Sequence, residues 1–327
     1  MKQVLRSKAF TNSELKTFEQ LVSLTQPSLK KVMSKFLKKY YPKVIETKDY
    51  IFCEGEIPIC LVAHMDTVFS LPPDEVFYDP RYNVVFSPQG LGADDRAGIF
   101  AILSIIRDGL RPHVILTTDE EKGGIGASAI AELDCPFSDV RYFIELDRRG
   151  ANDCVFYDCY NEEFINYVEG FGFSEAIGSF SDICFICEKW GIAGVNLSVG
   201  YRDEHTESEV LFVGHLKSTI EKVKKMLTET DIPHFKFILS PYSYGPIWGG
   251  WYKTGSEVLK CGKCGKYFLE EEMFPVMLLN GKTGFYCPDC ITKHVTWCDR
   301  CQSAFEKYSP EAPDTGLCDC CKEFKKK

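Results

Sequence analysis

The sequence predicts a layered α/β domain with a largely parallel sheet, followed by a small cysteine-rich module. Two observations lead to this prediction. Short apolar runs rich in branched residues alternate with segments of helical period over roughly the first 230 residues. Nine of the sixteen cysteines then fall in residues 261–327, while seven are scattered over residues 1–260. At ~150 residues per domain, a chain of 327 residues has room for two domains, or for one large domain with an appendage.

The predicted elements follow in a regular order along the chain. Two amphipathic helices come first, over residues 13–24 and 28–40, the second ended by Pro42. Strands are expected at residues 59–63, 114–118, 140–146 and 195–199. The remaining helices are expected at residues 96–107, 162–169 with Asn161 as cap, 182–190 with Ser181 as cap, and 209–228. Strands that alternate with helices favour parallel pairing, because each crossover returns the chain to the same end of the sheet.

The character of the sequence changes after residue 230. Residues 231–260 are rich in Gly, Pro, Tyr and Trp and lack a helical period, which predicts an extended strand followed by a connector. We therefore expect three parts: a main domain over residues 1–230, a connector over residues 231–260, and a tail over residues 261–327.

Composition and charge exclude several classes of protein. No secretory signal opens the sequence and no run of about 18 apolar residues occurs, which predicts a soluble cytoplasmic protein without membrane contact. Residues 1–50 carry 11 basic and 4 acidic side chains and residues 261–327 carry ten of each, so residues 51–260 hold a net charge of −16. A segment this acidic disfavours nucleic-acid binding, which needs a basic surface, and suits a site that collects metal cations.

Metal-ligating side chains follow the predicted strands at their carboxyl ends, where ligands bind in α/β sheets. Each of these residues, taken singly, has an ordinary interpretation as a helix-dipole partner or a solvated loop residue. Together they offer imidazole nitrogens and carboxylate oxygens, which are ligands of zinc. A site for two metal ions also needs one carboxylate that bridges the two ions. The motifs are LVAHMDTV with His64 and Asp66, GLGADDRAG with Asp94 and Asp95, TTDEEKGGIGA with Glu120 and Glu121, FIELDRRG with Asp147, and NLSVGYRDEHTESE with His205.

These motifs resemble those of the co-catalytic di-zinc exopeptidases and deacylases, which include peptidase T, leucyl and glutamyl aminopeptidases, and acetylornithine deacetylase. The resemblance covers roughly residues 15–228, and five spaced motifs agree in order. It implies a three-layer α/β/α fold of the aminopeptidase (phosphorylase/hydrolase-like) type with a mixed central sheet. It further implies that His64 and Asp147 bind one zinc, that Glu121 and His205 bind the other, and that Asp94 bridges both.

The resemblance also implies roles for two further carboxylates. Asp66 would orient the His64 ring, and Glu120 would be the general base for water that two zincs activate near pH 7. The family places a cis peptide after the bridging residue, here between Asp94 and Asp95. Only 57 residues separate Asp147 from His205, so the lid domain that dimeric relatives insert there has no room. This departure favours the single-domain aminopeptidase branch, with two helices between two strands in the interval.

Substrate recognition is harder to assign from the sequence. Asp182, Tyr201 and Arg202 are candidates for binding a terminal amine or carboxylate, whereas helix capping is an equal interpretation for Ser181 and Asp182. The predicted function is a zinc-dependent aminopeptidase acting on short peptides. A deacylase or desuccinylase-like amidohydrolase acting on N-acyl amino acids is the alternative within that class. The alternative from another class is a non-catalytic adaptor that keeps a peptidase fold and acts through its tail.

The tail contains four Cys-x-x-Cys pairs, a spacing typical of structural zinc sites in a reducing compartment. Eight thiolates suffice for two zincs, and a module this small depends on metal for its folding. Sequential pairing of the cysteines is the simpler arrangement and cross-braced pairing is the rival. The tail is balanced in charge, which disfavours a nucleic acid and favours either a protein partner or a role as a cap over the active-site cleft. The predicted ligands are Cys261, Cys264, Cys287, Cys290, Cys298, Cys301, Cys318 and Cys321, with Cys320 left over.

Overall fold

The structure, a computed structural model, describes residues 9–239, 258–269, 273–278, 283–298 and 304–307. The chain divides into two compact units, Met1–Leu239 and Ser240–Lys327. In the first unit an eight-stranded mixed sheet is covered by helices on both faces, which confirms the predicted α/β class. Among the described residues, no helix combines the length and the apolar character needed to cross a membrane.

The first unit contains seven helices and twelve strands among its described residues. The helices are α1 Asn12–Val22, α2 Gln26–Leu37, α3 Ala93–Arg107, α4 Ile125–Ala131, α5 Glu162–Glu169, α6 Ile183–Trp190 and α7 Val213–Leu227. The strands are β1 Val44–Glu46, β2 Tyr50–Cys53, β3 Ile57–His64, β4 Phe77–Asp79, β5 Val84–Phe86, β6 Pro112–Thr117, β7 Tyr142–Arg148, β8 Asp153–Val155, β9 Ser174–Glu175, β10 Gly194–Ser198, β11 Tyr201–Arg202 and β12 Val210–Phe212.

Four parallel strands form the centre of the large sheet. Its strand order is β1-β2-β6-β3-β7-β10-β8-β9, and β6, β3, β7 and β10 run parallel to one another. The β2 strand pairs antiparallel with β6, and β8 pairs antiparallel with β10, which makes the sheet mixed. A second, antiparallel sheet has the order β11-β12-β5-β4. Because the four parallel strands share one carboxyl-terminal edge, residues at their ends come together there.

Side-chain alternation along β3 shows why helices lie on both faces. Ile59, Leu61 and Ala63 pack into one apolar core, and Cys60 and Val62 pack into the other. The first core also takes in α1, α2, α3, α5 and α7, and the second takes in α4 and α6. Successive side chains of a strand point to opposite faces, so a continuous apolar run such as this one requires cover on both sides.

The amino-terminal helices are tied to the sheet by a buried arginine. A capping box starts α1, in which the Thr11 hydroxyl accepts from the Glu14 amide and the Glu14 carboxylate accepts from the Thr11 amide. Arg96, 3% exposed, donates to the carbonyl of Leu21 at 3.2 Å and to that of Asp66 at 3.1 Å. Its guanidinium therefore joins the end of α1 to the loop that follows β3.

Some predicted boundaries move in the structure. The second helix ends at Leu37, before the residue 40 that the apolar period gave. The last helix begins at Val213, because residues 210–212 form β12 instead of its first turn. Between Asp147 and His205 the fully described interval holds α5 and α6, as predicted, but it also contains two extra two-residue strands, β9 and β11. That interval holds no lid domain.

Only the start of the predicted 231–260 connector belongs to the described residues of the first unit. It is extended there, with isolated bridges from Lys236 to Ile192 and from Leu239 to Cys159. In the second unit the described elements are β13 Val258–Lys260, β14 Tyr267–Leu269, β15 Phe274–Met277, β16 Thr283–Tyr286, α8 Pro288–His294, β17 Val295–Trp297 and β18 Ala304–Glu306. Antiparallel pairs join β13 to β14 and β15 to β16.

Candidate metal centre

Five side chains predicted to bind metal meet at the carboxyl-terminal edge of the parallel strands. His64 is the last residue of β3, Asp147 is near the end of β7, and Glu121 follows β6. Asp94 opens α3 ahead of its regular part, and His205 lies in the loop between β11 and β12. Their ligand atoms form two groups, His64 with Asp94 and Asp147, and Asp94 with Glu121 and His205, within which all atoms lie within 4.8 Å of one another.

Asp94 belongs to both groups and presents one oxygen to each. Its Oδ1 lies 3.0 Å from His64 Nε2, and its Oδ2 lies 3.2 Å from His205 Nε2. Burial opposes ionisation of this carboxyl, but hydrogen bonds from His205 and His64 outweigh it and lower the pKa of Asp94. An ionised carboxylate with its two oxygens directed to separate ligand groups has the arrangement of a metal bridge.

The donor chemistry of both groups fits borderline divalent cations. Each group combines one imidazole nitrogen with two carboxylates, the ligand types that zinc accepts in hydrolases. In the second group Glu121 Oε1 is buried and accepts no hydrogen bond, although His205 Nε2 lies 3.0 Å away. A buried carboxylate oxygen whose one nearby nitrogen belongs to another candidate ligand can bind a cation held between the two. These residues therefore fit a pair of metal ions better than they fit a hydrogen-bonded cluster.

Asp66 links the imidazole of His64 to the segment that carries the two glutamates. Its Oδ1 lies 3.2 Å from His64 Nδ1, and its carboxylate accepts from the amides of Glu120 and Glu121, both at 3.1 Å. Burial would raise the pKa of Asp66, but the hydrogen bonds with His64 and with those two amides lower it. An ionised Asp66 fixes the ring so that Nε2 faces Asp94 and Asp147.

Glu120 lies beside the metal ligands and is 8% exposed. Its carboxylate belongs to a third compact group with His64 and Glu121. Burial raises the pKa of Glu120 to about 9, an effect that His64 opposes and the charge of Asp147 reinforces. A carboxyl in this setting binds and releases a proton according to the charge of its neighbours, as a general acid–base group must.

A hydrogen-bond network holds Asp147 from three sides. The Tyr201 hydroxyl donates to Asp147 Oδ1 and the Ser181 hydroxyl donates to Oδ2, both at 3.0 Å. The Asn196 side chain accepts from the Asp147 amide at 2.9 Å and donates to Ser181 Oγ at 3.1 Å. Ser181 is therefore a partner of a metal-ligand candidate, and the prediction that it caps α6 is wrong. The cap position belongs to Asp182, whose side chain makes no capping hydrogen bond.

Two acidic residues of the centre received no role in the sequence analysis. The peptide between Asp94 and Asp95 is cis, as the resemblance implied, and Asp95 accepts from the His64 amide at 3.3 Å. Glu209, 1% exposed, accepts from the amides of Gly92 and Asp94. Its position four residues after His205 is the signal that could have identified it, but the apolar period there suggested the start of a helix.

A cleft of about 270 Å³ opens onto the candidate metal centre. Of the three residues predicted to bind substrate, only Tyr201 lines it. Asp182 does not line the cleft: it is fully buried and accepts from the Thr117 hydroxyl. Arg202 lies outside the cleft lining, with its guanidinium 5.4 Å from the Phe212 ring centroid. The cleft is lined by Asp94, Glu120, Glu121, Gly123, Asp147, Arg148, Arg149, Tyr157, Ser179, Phe180, Tyr201, Glu204 and His205.

A separate thiol group lies in the second unit. The sulfurs of Cys261, Cys264, Cys287 and Cys290 all lie within 4.8 Å of one another, so the first two Cys-x-x-Cys pairs come together in sequential order. Burial opposes ionisation of Cys261, but amides of Cys264, Cys287 and Lys263 lower the pKa of its thiol to about 6. Cys298 is buried. The other predicted ligands, Cys301, Cys318 and Cys321, lie outside the described residues, as does Cys320.

Comparison with solved structures shows which fold surrounds this centre. The chain is similar to aminopeptidase PepT from Bacillus cereus, with a TM-score of 0.55 and 16% identity over 67% of this chain and 98% of that one. An aminopeptidase from Desulfurococcus kamchatkensis gives a TM-score of 0.53 and 14% identity over 67% and 95% of the two chains. A tripeptidase from Staphylococcus aureus gives a TM-score of 0.51 and 17% identity over 65% and 96%.

These likenesses confirm the aminopeptidase-type fold that the motifs implied. No protein-family model and no curated protein matches the sequence. At this level of identity the solved structures establish the fold alone.

Proposed function

We propose that the chain is a di-zinc hydrolase that removes amino-terminal residues from short peptides. The observation that carries this proposal is Asp94, which directs one carboxylate oxygen to each of two ligand groups. In the proposed assignment His64 and Asp147 would hold one zinc, Glu121 and His205 would hold the other, and Asp94 would contribute an oxygen to each. When bound, the zincs would polarise the scissile carbonyl and make water acidic enough to react near pH 7.

The chain's own residues would move the proton and fix the ligands. Glu120 would take a proton from the attacking water and return it to the leaving amine. Burial keeps its pKa high, and the charge of two nearby cations would lower that pKa so that the carboxylate is available as a base. Asp66 would hold the His64 ring, and Tyr201 with Ser181 would hold Asp147.

The same centre could hydrolyse N-acyl amino acids, because a deacylase breaks the same kind of amide bond. A free amino group in the substrate distinguishes the two functions. The test is a panel of free-amine dipeptides and their N-acylated counterparts, assayed with zinc, after treatment with a chelator, and after zinc is restored. We expect cleavage of the free-amine set, loss with the chelator and recovery with zinc. Cleavage confined to acylated substrates would show that the chain is a deacylase and not an aminopeptidase.

The non-catalytic alternative makes a different prediction in the same assay. An adaptor that keeps only the fold would cleave no member of the panel at any zinc concentration. Such a protein would have no reason to keep all five ligand candidates, Glu120 and Asp66 within one compact centre. Turnover that requires zinc would exclude the adaptor, and its absence in zinc-loaded protein would exclude the hydrolase.

For the second unit we propose a structural zinc on Cys261, Cys264, Cys287 and Cys290. Four thiolates suit a closed tetrahedral site, and the lowered pKa of Cys261 makes a thiolate available near neutral pH. We further propose a second site on Cys298, Cys301, Cys318 and Cys321, a protein partner for this unit, and a reducing cytoplasmic location that keeps the thiols free for metal.

A further inference from the structure

Arg148 is a cation in a cleft whose ionisable lining is mostly acidic. The carboxylates that line the cleft are Asp94, Glu120, Glu121, Asp147 and Glu204. The basic residues of the lining are Arg148, Arg149 and His205. In the proposed function zinc would neutralise the charge of the metal-binding carboxylates. The arginines would then determine whether the rest of the cleft attracts an anionic group of the substrate.

The two arginines differ in their partners. Arg149 Nη1 donates to Glu204 Oε1 at 2.8 Å, so its charge is balanced by a carboxylate of the same cleft. Arg148 forms no ion pair with any of the described residues. Its Nη2 donates to the Ile177 carbonyl at 2.9 Å, and its Nε is shielded from solvent without an acceptor. Arg148 is therefore the arginine of the cleft lining that has no counter-ion among the described residues.

A guanidinium that has a backbone carbonyl as its acceptor and no carboxylate partner among the described residues is suited to bind an anion from the cleft. The planar fork of an arginine matches a carboxylate better than any neutral acceptor. We propose that Arg148 binds a carboxylate of the substrate. The hydrolase would then select short substrates that carry a free carboxylate close to the scissile amide bond.

Arg148 lies next to a proposed metal ligand in the sequence and lines the same cleft. It directly follows Asp147 at the end of β7, so it shares a strand end with a proposed metal ligand. The cleft of about 270 Å³ is lined by Arg148 and by the candidate metal ligands. One small molecule in this cleft could therefore place a carboxylate at Arg148 and an amide at the metals. This inference rests on the proposed function for the identity of the reacting bond.

Such a carboxylate could be the carboxyl terminus of the substrate or an acidic side chain. Zinc-loaded, full-length protein is assayed with Leu-Gly-Gly against its carboxyl-terminal amide, and with Leu-Glu amide against Leu-Gln amide. The variants are Arg148→Gln, which removes the charge, and Arg148→Lys, which keeps it. The matched control is Arg81→Gln, since Arg81 is an exposed arginine paired with Asp79 and does not line the cleft.

We expect the wild type to prefer the carboxylate member of one pair by ~10 to 100-fold in kcat/KM, the range for a hydrogen bond to a charged group. Arg148→Gln should abolish this preference, because kcat/KM for the carboxylate member falls to that of the uncharged member. Arg148→Lys should keep part of the preference and Arg81→Gln all of it. The pair that shows the preference identifies the carboxylate. Equal rates for both members of each pair, or a preference that survives in Arg148→Gln, would overturn the proposal.

A binding measurement separates this proposal from the proposed function. Calorimetry on zinc-loaded Glu120→Gln protein compares the Kd of Leu-Gly-Gly with that of its amide, and of N-acetyl-leucine with that of N-acetyl-leucinamide. Tighter binding of a carboxylate that is lost when Arg148→Gln is added supports the role of Arg148, even if the wild type hydrolyses nothing. Equal binding of acid and amide in both sets, together with equal binding of Leu-Glu amide and Leu-Gln amide, contradicts it, even if the wild type is an active peptidase.

Discussion

Glu209 accepts a hydrogen bond from the backbone amide of Asp94 at 2.9 Å, and it also accepts from the amide of Gly92. Asp94 is the carboxylate shared by the two ligand groups, and Glu209 lies four residues after His205. Burial raises the pKa of Glu209 to about 7, although the same amides favour its ionised form. One side chain thus joins the loop of the shared ligand to the loop that carries His205.

Replacing Glu209 should loosen the metal centre. In Glu209→Ala the amides of Gly92 and Asp94 lose their acceptor, and we expect zinc affinity to fall by ~10 to 100-fold, as when other partners of metal ligands are removed. Zinc competition with a chromophoric chelator measures the change. The control is Glu207→Ala, an exposed residue of the same loop. Unchanged zinc affinity in Glu209→Ala would show that the loop holds its position without this carboxylate.

Glu120→Gln should separate metal binding from catalysis. Gln cannot accept the proton of the attacking water, so hydrolysis should fall by ~10² to 10⁴-fold, while the zinc content stays that of the wild type. Glu163→Gln, at an exposed glutamate in the first turn of α5, controls for the loss of a surface charge. The measurements are peptide turnover and zinc content on the same sample. Full turnover in a zinc-replete Glu120→Gln variant would remove Glu120 from the mechanism.

Zinc counting should distinguish the two kinds of metal site. We expect about four zincs per full-length chain, two at the candidate centre and two on thiolates. Asp94→Asn should lower the count to about two, because both ligand groups share Asp94. Cys264→Ser should lower it by about one without affecting hydrolysis. Elemental analysis after gel filtration gives the counts, and about two zincs in the wild type would leave the candidate centre without its metals.

Stability should depend on pH through His113. Its Nδ1 accepts from the Gly55 amide and its Nε2 lies 3.0 Å from Asp139 Oδ1, an arrangement that needs the neutral ring. Burial lowers the pKa of His113 in spite of Asp139. Since the unfolded chain then binds the extra proton, this contribution is full above the ordinary histidine pKa of ~6.5 and is lost as pH falls below it.

The measurement is the free energy of unfolding at pH 7.5 and at pH 5.5. We expect His113→Gln to be less stable at pH 7.5, because hydrogen bonds are lost, but to lose less stability on acidification than the wild type. His234→Gln, at an exposed histidine, should retain the wild-type difference between the two pH values. An equal loss on acidification in His113→Gln and the wild type would show that His113 does not titrate on unfolding.

Much of the candidate site could be predicted because its signals are local. The residues His64, Glu121 and Asp147 each follow an apolar run that forms a strand. Such a run can be recognised from a few neighbouring residues, without knowledge of the rest of the chain. Residues whose role depends on a distant partner could not be placed. The sequence pattern predicts that Ser181 caps a helix, yet its hydroxyl donates to Asp147, which lies 34 residues earlier in the sequence.

The sequence by itself determined the α/β class, the parallel strands and the set of acidic and histidine side chains at their ends. These follow from the apolar period and the residue types, which act over a few neighbours in the chain. Only the tertiary structure decided that Asp182 is fully buried, that Glu209 supports the Asp94 loop, and that Arg148 lines the cleft without a counter-ion among the described residues. The burial of a side chain and its hydrogen-bond partners depend on segments that are far apart in the sequence. A local sequence pattern does not indicate which of these segments will be in contact.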